Sequence, residues 1–153
     1  MRFLADPSLG KLAKWLKILG HDTLYFLRAN PGLLIEKART DRRVVLTRDT
    51  DLKKRLVSTS LSHLFIQSNS ISEQLQQVDA AFPLLTTARS FTRCLACNEE
   101  LQSVFKEVVE GRVAEFVYQT QKNFVECPRC QKVYWPGTHR RRMEEKVNLW
   151  LGP

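Results

Sequence analysis

The chain has 153 residues, 43% of them hydrophobic, enough for one compact domain or for a small domain with a metal-held appendage. No run approaches the roughly 20 apolar residues of a membrane helix, and the N-terminal MRFLADPSLGK lacks the apolar core of a secretory signal, so a cytoplasmic protein without a membrane partner is expected. Lys and Arg number 24 against 16 Asp and Glu, a formal net charge of +8, which favours a polyanionic partner because neutralised phosphates release counterions. The chain carries 13 basic and 8 acidic residues up to position 88, and 11 and 8 beyond it. The basicity is therefore spread along the chain and is not confined to a tail.

Arg2 to Ala5 reads as a short strand ending at Asp6. Pro7 follows, a favoured first helical residue. Leu9, Leu12, Leu16 and Leu19 then recur at spacings of three and four, the mark of one helix face. Gly20 closes that helix as a C-terminal cap. TLYFL is a second strand, Asn30-Pro31-Gly32 a turn, and LLIEKART a short helix. RVVLT, β-branched, apolar and bounded by charge, is the clearest strand. DLKKRL is again helical and HLFIQ a fourth strand, after which Ser70 and Glu73 fit a capping box before Ile71, Leu75, Val78 and Phe82. Strands separated by helices of this length pair in parallel through crossovers, which predicts a three-layer α/β domain over residues 1–84.

Near residue 83 the pattern changes. PLLTTARSFTR reads as a linker, and residues 85–153 form a second unit. Its four cysteines fall in two Cys-x-x-Cys pairs, RCLACN and ECPRCQ, with 29 residues between them. Disulfides are rare in a reducing cytosol, whereas paired thiolates on zinc are common. A redox Cys-x-x-Cys normally occurs once, opening a helix after a strand. Two copies instead predict a tetrahedral structural zinc site on Cys94, Cys97, Cys127 and Cys130, with the knuckle amides facing the sulfurs. Such a ribbon is too small to fold on its own apolar core, so the metal must hold it. The segment between the pairs shows no single period; its centre suits a helix, with Phe116 to Tyr118 or Phe124-Val125 as strands. VYWPGTHRRRMEEKVNLW then reads as a turn and a terminal helix.

In a parallel α/β sheet, ligands bind beyond the carboxyl ends of the strands. Asp6 ends the first strand, and Asp49 and Asp51 follow the third in Thr47-Arg48-Asp49-Thr50-Asp51. Converging carboxylates repel, and a magnesium or manganese ion relieves that repulsion while activating water against a phosphodiester. Asp6 before Pro7 also suits a plain helix cap, and Asp49 or Thr50 could cap the next helix. Lys11 and Lys14, on the helix beside Asp6, and Arg48, at the strand end, are candidate RNA-backbone contacts. Arg140 and Arg141, near Tyr134 and Trp135, combine charge with stacking surface as single-strand binders do.

RFLADPSLGKLAKWLKILGHDT, VVLTRDTDL, RCLACN, ECPRCQ and VYWPGTHRRRM occur in one order along nearly the whole chain. Together they resemble the Mut-seven C-terminal RNase domain family, which joins a PIN-like nuclease fold to a zinc ribbon. The resemblance implies a metal-dependent ribonuclease or RNA-processing protein, with Asp6, Asp49 and Asp51 at its reaction centre and the four cysteines as ribbon ligands. Asn30-Pro31 stands where the family usually has an Asp-Asp pair, and Arg140 where an aromatic commonly follows Thr-His. The first departure favours an alternative, a non-catalytic RNA- or ribosome-binding adaptor on a degenerate PIN-like fold.

Overall fold

A computed structural model describes residues 1–27 and 30–152. Four short strands, β1 (Arg2–Ala5), β2 (Asp22–Tyr25), β3 (Val44–Thr47) and β4 (His63–Phe65), form one parallel sheet in the order β2-β1-β3-β4. The helices alternate with them: α1 (Gly10–Ile18), entered through a 3-10 turn Pro7–Leu9, then α2 (Pro31–Thr40), α3 (Thr50–Thr59) and α4 (Ile71–Ala81).

Strand periodicity sorts the side chains into two cores. Phe3, Ala5, Val44 and Leu46 face a layer made by Leu12 and Leu16 of α1 and Leu75 and Val78 of α4. Leu4 and Val45 point the other way, onto Leu34 and Ala38 of α2 and Leu52 and Leu56 of α3. Each such leucine contributes about 1.5–3 kcal/mol by burial. The result is the expected three-layer α/β arrangement with a central parallel sheet.

The capping box expected at Ser70 and Glu73 does not form. The Ser70 side chain makes no cap hydrogen bond to α4; its hydroxyl lies 2.8 Å from that of Ser72. Ser68 takes over, its hydroxyl donating to the Glu73 carboxylate and accepting from the Ser70 amide at 2.9 Å.

The second unit is a small antiparallel sheet of β5 (Gln102–Val104), β6 (Phe124–Glu126) and β7 (Val133–Tyr134), in the order β5-β6-β7. Phe116 to Tyr118 belong to a short helix, α5 (Glu115–Thr120), so of the two strand alternatives Phe124-Val125 is the one realised. A long terminal helix, α6 (Thr138–Leu151), returns to the first unit. There Val147 joins the α1/α4 core and Trp150 meets Trp15 edge-on at 4.8 Å.

The expected linker is itself bonded down. Leu84 and Leu85 amides donate to Asp79 Oδ1 at 2.7 and 3.3 Å, and the Arg89 and Phe91 amides donate to the Leu19 and Ile18 carbonyls. Gly20 makes this possible. Its φ is +87°, and a Cβ there would stand 2.2 Å from the Arg89 carbonyl oxygen, so glycine serves both the helix cap and the crossing.

Among the described residues, no helix is long and apolar enough to cross a membrane.

Candidate functional site

The chain leaves β1 for β2 on one side, and α2 returns it to β3 on the other. The crevice beyond β1 and β3 is therefore the topological switch point, where open α/β sheets bind ligands. Asp6 and Asp49 stand on its two lips.

Asp6 is 2% exposed and is held by four donors. Its Oδ1 accepts from the Ser8 amide at 2.8 Å and the Ser8 hydroxyl at 2.5 Å. Its Oδ2 accepts from the Thr47 hydroxyl and from the Arg48 amide at 3.2 Å. Asp49 is exposed and caps α3, its Oδ1 accepting from the Asp51 and Leu52 amides at 2.8 and 2.9 Å. Thr47 joins the two, since its hydroxyl donates to Asp6 while accepting from the Asp49 amide at 2.9 Å. One buried carboxylate and one open one are thus fixed by a single strand-end threonine.

Asp51 is not drawn into this link. Its side chain is 82% exposed and pairs with Lys54 at 3.3 Å. Asn30 caps α2 by accepting from the Leu33 amide at 3.1 Å, and Glu36 is exposed on that helix. Lys11 and Lys14 are exposed on α1, and Arg48 is half-buried beside Asp6. Arg140 stacks over the Phe91 ring at 4.4 Å and pairs with Glu144 at 3.0 Å, while Arg141 is exposed. His139 and Trp135 line a cavity of about 660 Å³ between the ribbon sheet and the start of α6.

The four cysteines do converge. All four Sγ atoms lie within 4.8 Å of one another, with Cys94–Cys130 at 3.5 Å and Cys97–Cys127 at 3.2 Å. These separations are far from a disulfide bond and bracket the roughly 3.8 Å edge of a tetrahedron with metal–sulfur bonds of about 2.3 Å. The four sulfurs can hold one zinc ion. Among the described residues this is the one such group of three or more His, Cys, Asp or Glu side chains; Asp6, Asp49 and Asp51 form no second.

The two knuckles share one backbone design. The Asn98 amide donates to the Cys94 carbonyl and the Gln131 amide to the Cys127 carbonyl, each at 2.9 Å. The Cys94 and Cys127 amides donate to the Glu99 and Lys132 carbonyls, and Asn98 and Gln131 both take left-handed φ values, 69° and 61°. Burial pushes the Cys94 thiol up, but the Tyr134 hydroxyl and the Cys97 and Ala96 amides outweigh it and bring it down to about 6. Cys97 moves the opposite way, raised by burial and by the neighbouring thiols to about 12. One thiolate forms readily, and further negative charge at this range calls for a cation.

The first knuckle is pinned to the sheet edge, which local sequence reading misses. Asn98 Nδ2 donates to Asp22 Oδ1 at 2.7 Å, and the Thr23 amide donates to Asn98 Oδ1 at 2.9 Å. Arg43 donates to the same Asp22 oxygen at 2.7 Å. Lys17, only 7% exposed, donates from Nζ to the Leu95 carbonyl at 2.7 Å, and burial lowers its pKa. Buried His21 places Nε2 3.2 Å from the Leu84 carbonyl.

A family model, the Mut7-C RNAse domain, matches the chain over residues 1–147. The chain belongs to the Mut7-C RNAse domain family. Membership covers both units, so the cysteine-bearing part belongs to the family pattern as much as the sheet does. It makes the chain ribonuclease-like and RNA its expected partner. No curated protein and no solved structure matches the chain.

Proposed function

We propose that the protein is a cytoplasmic, divalent-metal-dependent ribonuclease that hydrolyses RNA phosphodiesters at the crevice between Asp6 and Asp49. The observation that carries this is the Asp6–Thr47–Asp49 chain of hydrogen bonds at the switch point of a Mut7-C RNAse domain. In this reading residues 1–84 supply the reaction and residues 85–153 hold RNA, with zinc on the four cysteines as a purely structural ion.

The donor set suits magnesium or manganese, which take one or two carboxylates and complete their shells with water and phosphate oxygens. Asp49 caps α3 through Oδ1 alone, leaving Oδ2 without a donor among the described residues. Asp6 has its acceptors filled, so it contributes charge and fixes Thr47 and Arg48. When bound, such an ion polarises a phosphodiester oxygen and acidifies water. The protein residues do the rest: Asp49 faces the incoming phosphate, Arg48 offsets its charge, and buried Asp6 keeps both lips in register. Asp51 serves the first turn of α3 and its Lys54 pair. Labelled single-stranded RNA with manganese tests this reading. Wild-type protein should cleave and an Asp6→Asn, Asp49→Asn double variant should not; equal cleavage would sink it.

A second reading, an RNA-binding adaptor without catalysis, draws on Asn30, whose side chain is spent on the α2 cap, and on the full complement of donors around Asp6. It expects salt-sensitive RNA binding with no dependence on divalent ions.

A further inference from the structure

A groove of about 830 Å³ runs between α1, the end of β2 and the two cysteine knuckles. Its walls come from segments far apart in sequence: Lys14 and Lys17 on α1, Tyr25 at the end of β2, and Arg129, Lys132 and Tyr134 on the ribbon. Four of its lining residues are cationic and none is a carboxylate. Lys17 is occupied by the Leu95 carbonyl, whereas Lys14, Arg129 and Lys132 are exposed; the nearest counter-charge, Glu99, meets Arg129 only at 3.6 Å. The groove extends to the start of α1. There Gly10 and Tyr25 line it, and the Tyr25 hydroxyl donates to the Pro7 carbonyl at 2.9 Å, one residue from Asp6.

We propose that this groove is the single-stranded RNA track, in which Lys14 from the sheet unit and Arg129 and Lys132 from the second knuckle hold the phosphates leading to Asp6 and Asp49. The inference rests on the ribonuclease reading for its direction, but on the groove alone for binding. A concave, cation-walled cleft with two tyrosines, Tyr25 and Tyr134, in its lining follows an unpaired backbone and offers rings for bases to stack on. A duplex, with its phosphates on the outside of a wide cylinder and its bases turned inward, matches neither feature. The knuckle thus acquires a role beyond architecture. Zinc shapes the backbone on which Arg129 and Lys132 stand, and the Asn98–Asp22 and Lys17–Leu95 bonds fix that wall against α1.

The test uses the full zinc-loaded chain and fluorescence anisotropy with a short labelled single-stranded RNA, the same sequence as a duplex, and an acidic peptide, over a salt series. Variants are Arg129→Glu/Lys132→Glu, the milder Arg129→Gln/Lys132→Gln, and an equally charge-changing control, Arg39→Glu/Lys122→Glu, outside the groove. Zinc content and circular dichroism confirm that each is folded. The Gln pair should weaken single-strand binding about tenfold at roughly 0.1 M salt and flatten the salt slope by about 1.4, near 0.7 per lost phosphate contact. The Glu pair should do more, and the control should stay within about twofold. Groove variants that fall no further than the control would overturn the track. So would duplex or peptide binding as tightly as single strands with the same residue dependence. Intact, groove-dependent binding with no cleavage overturns only the catalytic reading; no RNA binding at all overturns both.

Discussion

The carboxylate crevice and the cysteine cluster are both polar sites set in turns, yet they are satisfied in opposite ways. Around Asp6 the chain supplies its own donors, two from Ser8, one from Thr47 and one from Arg48, so the crevice forms without any ion. The four sulfurs lie within 4.8 Å of one another; burial pushes Cys94 up but the Tyr134 hydroxyl and the knuckle amides outweigh it, while burial and the neighbouring thiols raise Cys97. Those ribbon partners favour a single thiolate, at Cys94. The crevice keeps one carboxylate open and the other caged, while the cysteine cluster is arranged so that one metal ion could take up its charge.

Chelation should break the comparison most widely. Removing zinc should unfold the ribbon outright, as in small zinc-held units, while the parallel sheet persists. Since α6 packs on the α1/α4 core, proteolysis of the chelated protein should cut between about residues 95 and 135 and leave the C-terminal peptide attached. Cooperative loss of the whole fold, or no change in cutting, would contradict this.

Thr47→Val sharpens the other side. It removes the hydroxyl joining Asp6 to the Asp49 amide and should cost about 1–3 kcal/mol in a urea melt, without altering zinc content. The smallest effect belongs to Asp22. Burial pushes this carboxyl up, but hydrogen bonds from Arg43 and Asn98 outweigh it and hold it below the ordinary range. A depressed folded pKa stabilises the protein above the unfolded value of about 3.9, and that stability is lost as pH falls through the folded value. Asp22→Asn should therefore flatten the stability loss below about pH 4; an unchanged acid slope would remove the pin from the account.

What local pattern encodes, sequence reading recovers. β1 and β3 announce themselves by apolar runs ending in Asp6 and Thr47-Arg48-Asp49, and the two Cys-x-x-Cys spacings point to one cluster. The misses arise where competing local partners or distant ones decide. Ser68 lies two residues from Ser70 and takes Glu73 from the expected box. Asp22 looks like a turn residue because Arg43 and Asn98, which define it, lie 21 and 76 positions away. Nothing local marks Arg129 and Lys132, which share a groove with Lys14 only through the packing of the ribbon. The sequence places Asp6 and Asp49 at neighbouring strand ends, but not their unequal surroundings, because only the packing of Thr47 between them makes Asp6 caged and Asp49 open.

The division between a reacting site and a holding site is tested most directly by following RNA cleavage and zinc content together as manganese is added to zinc-loaded protein. Cleavage should rise with manganese at constant zinc, and Asp49→Asn should abolish that rise while retaining its zinc. Activity that tracks zinc alone, or an Asp49→Asn protein that cleaves like wild type, would contradict the account.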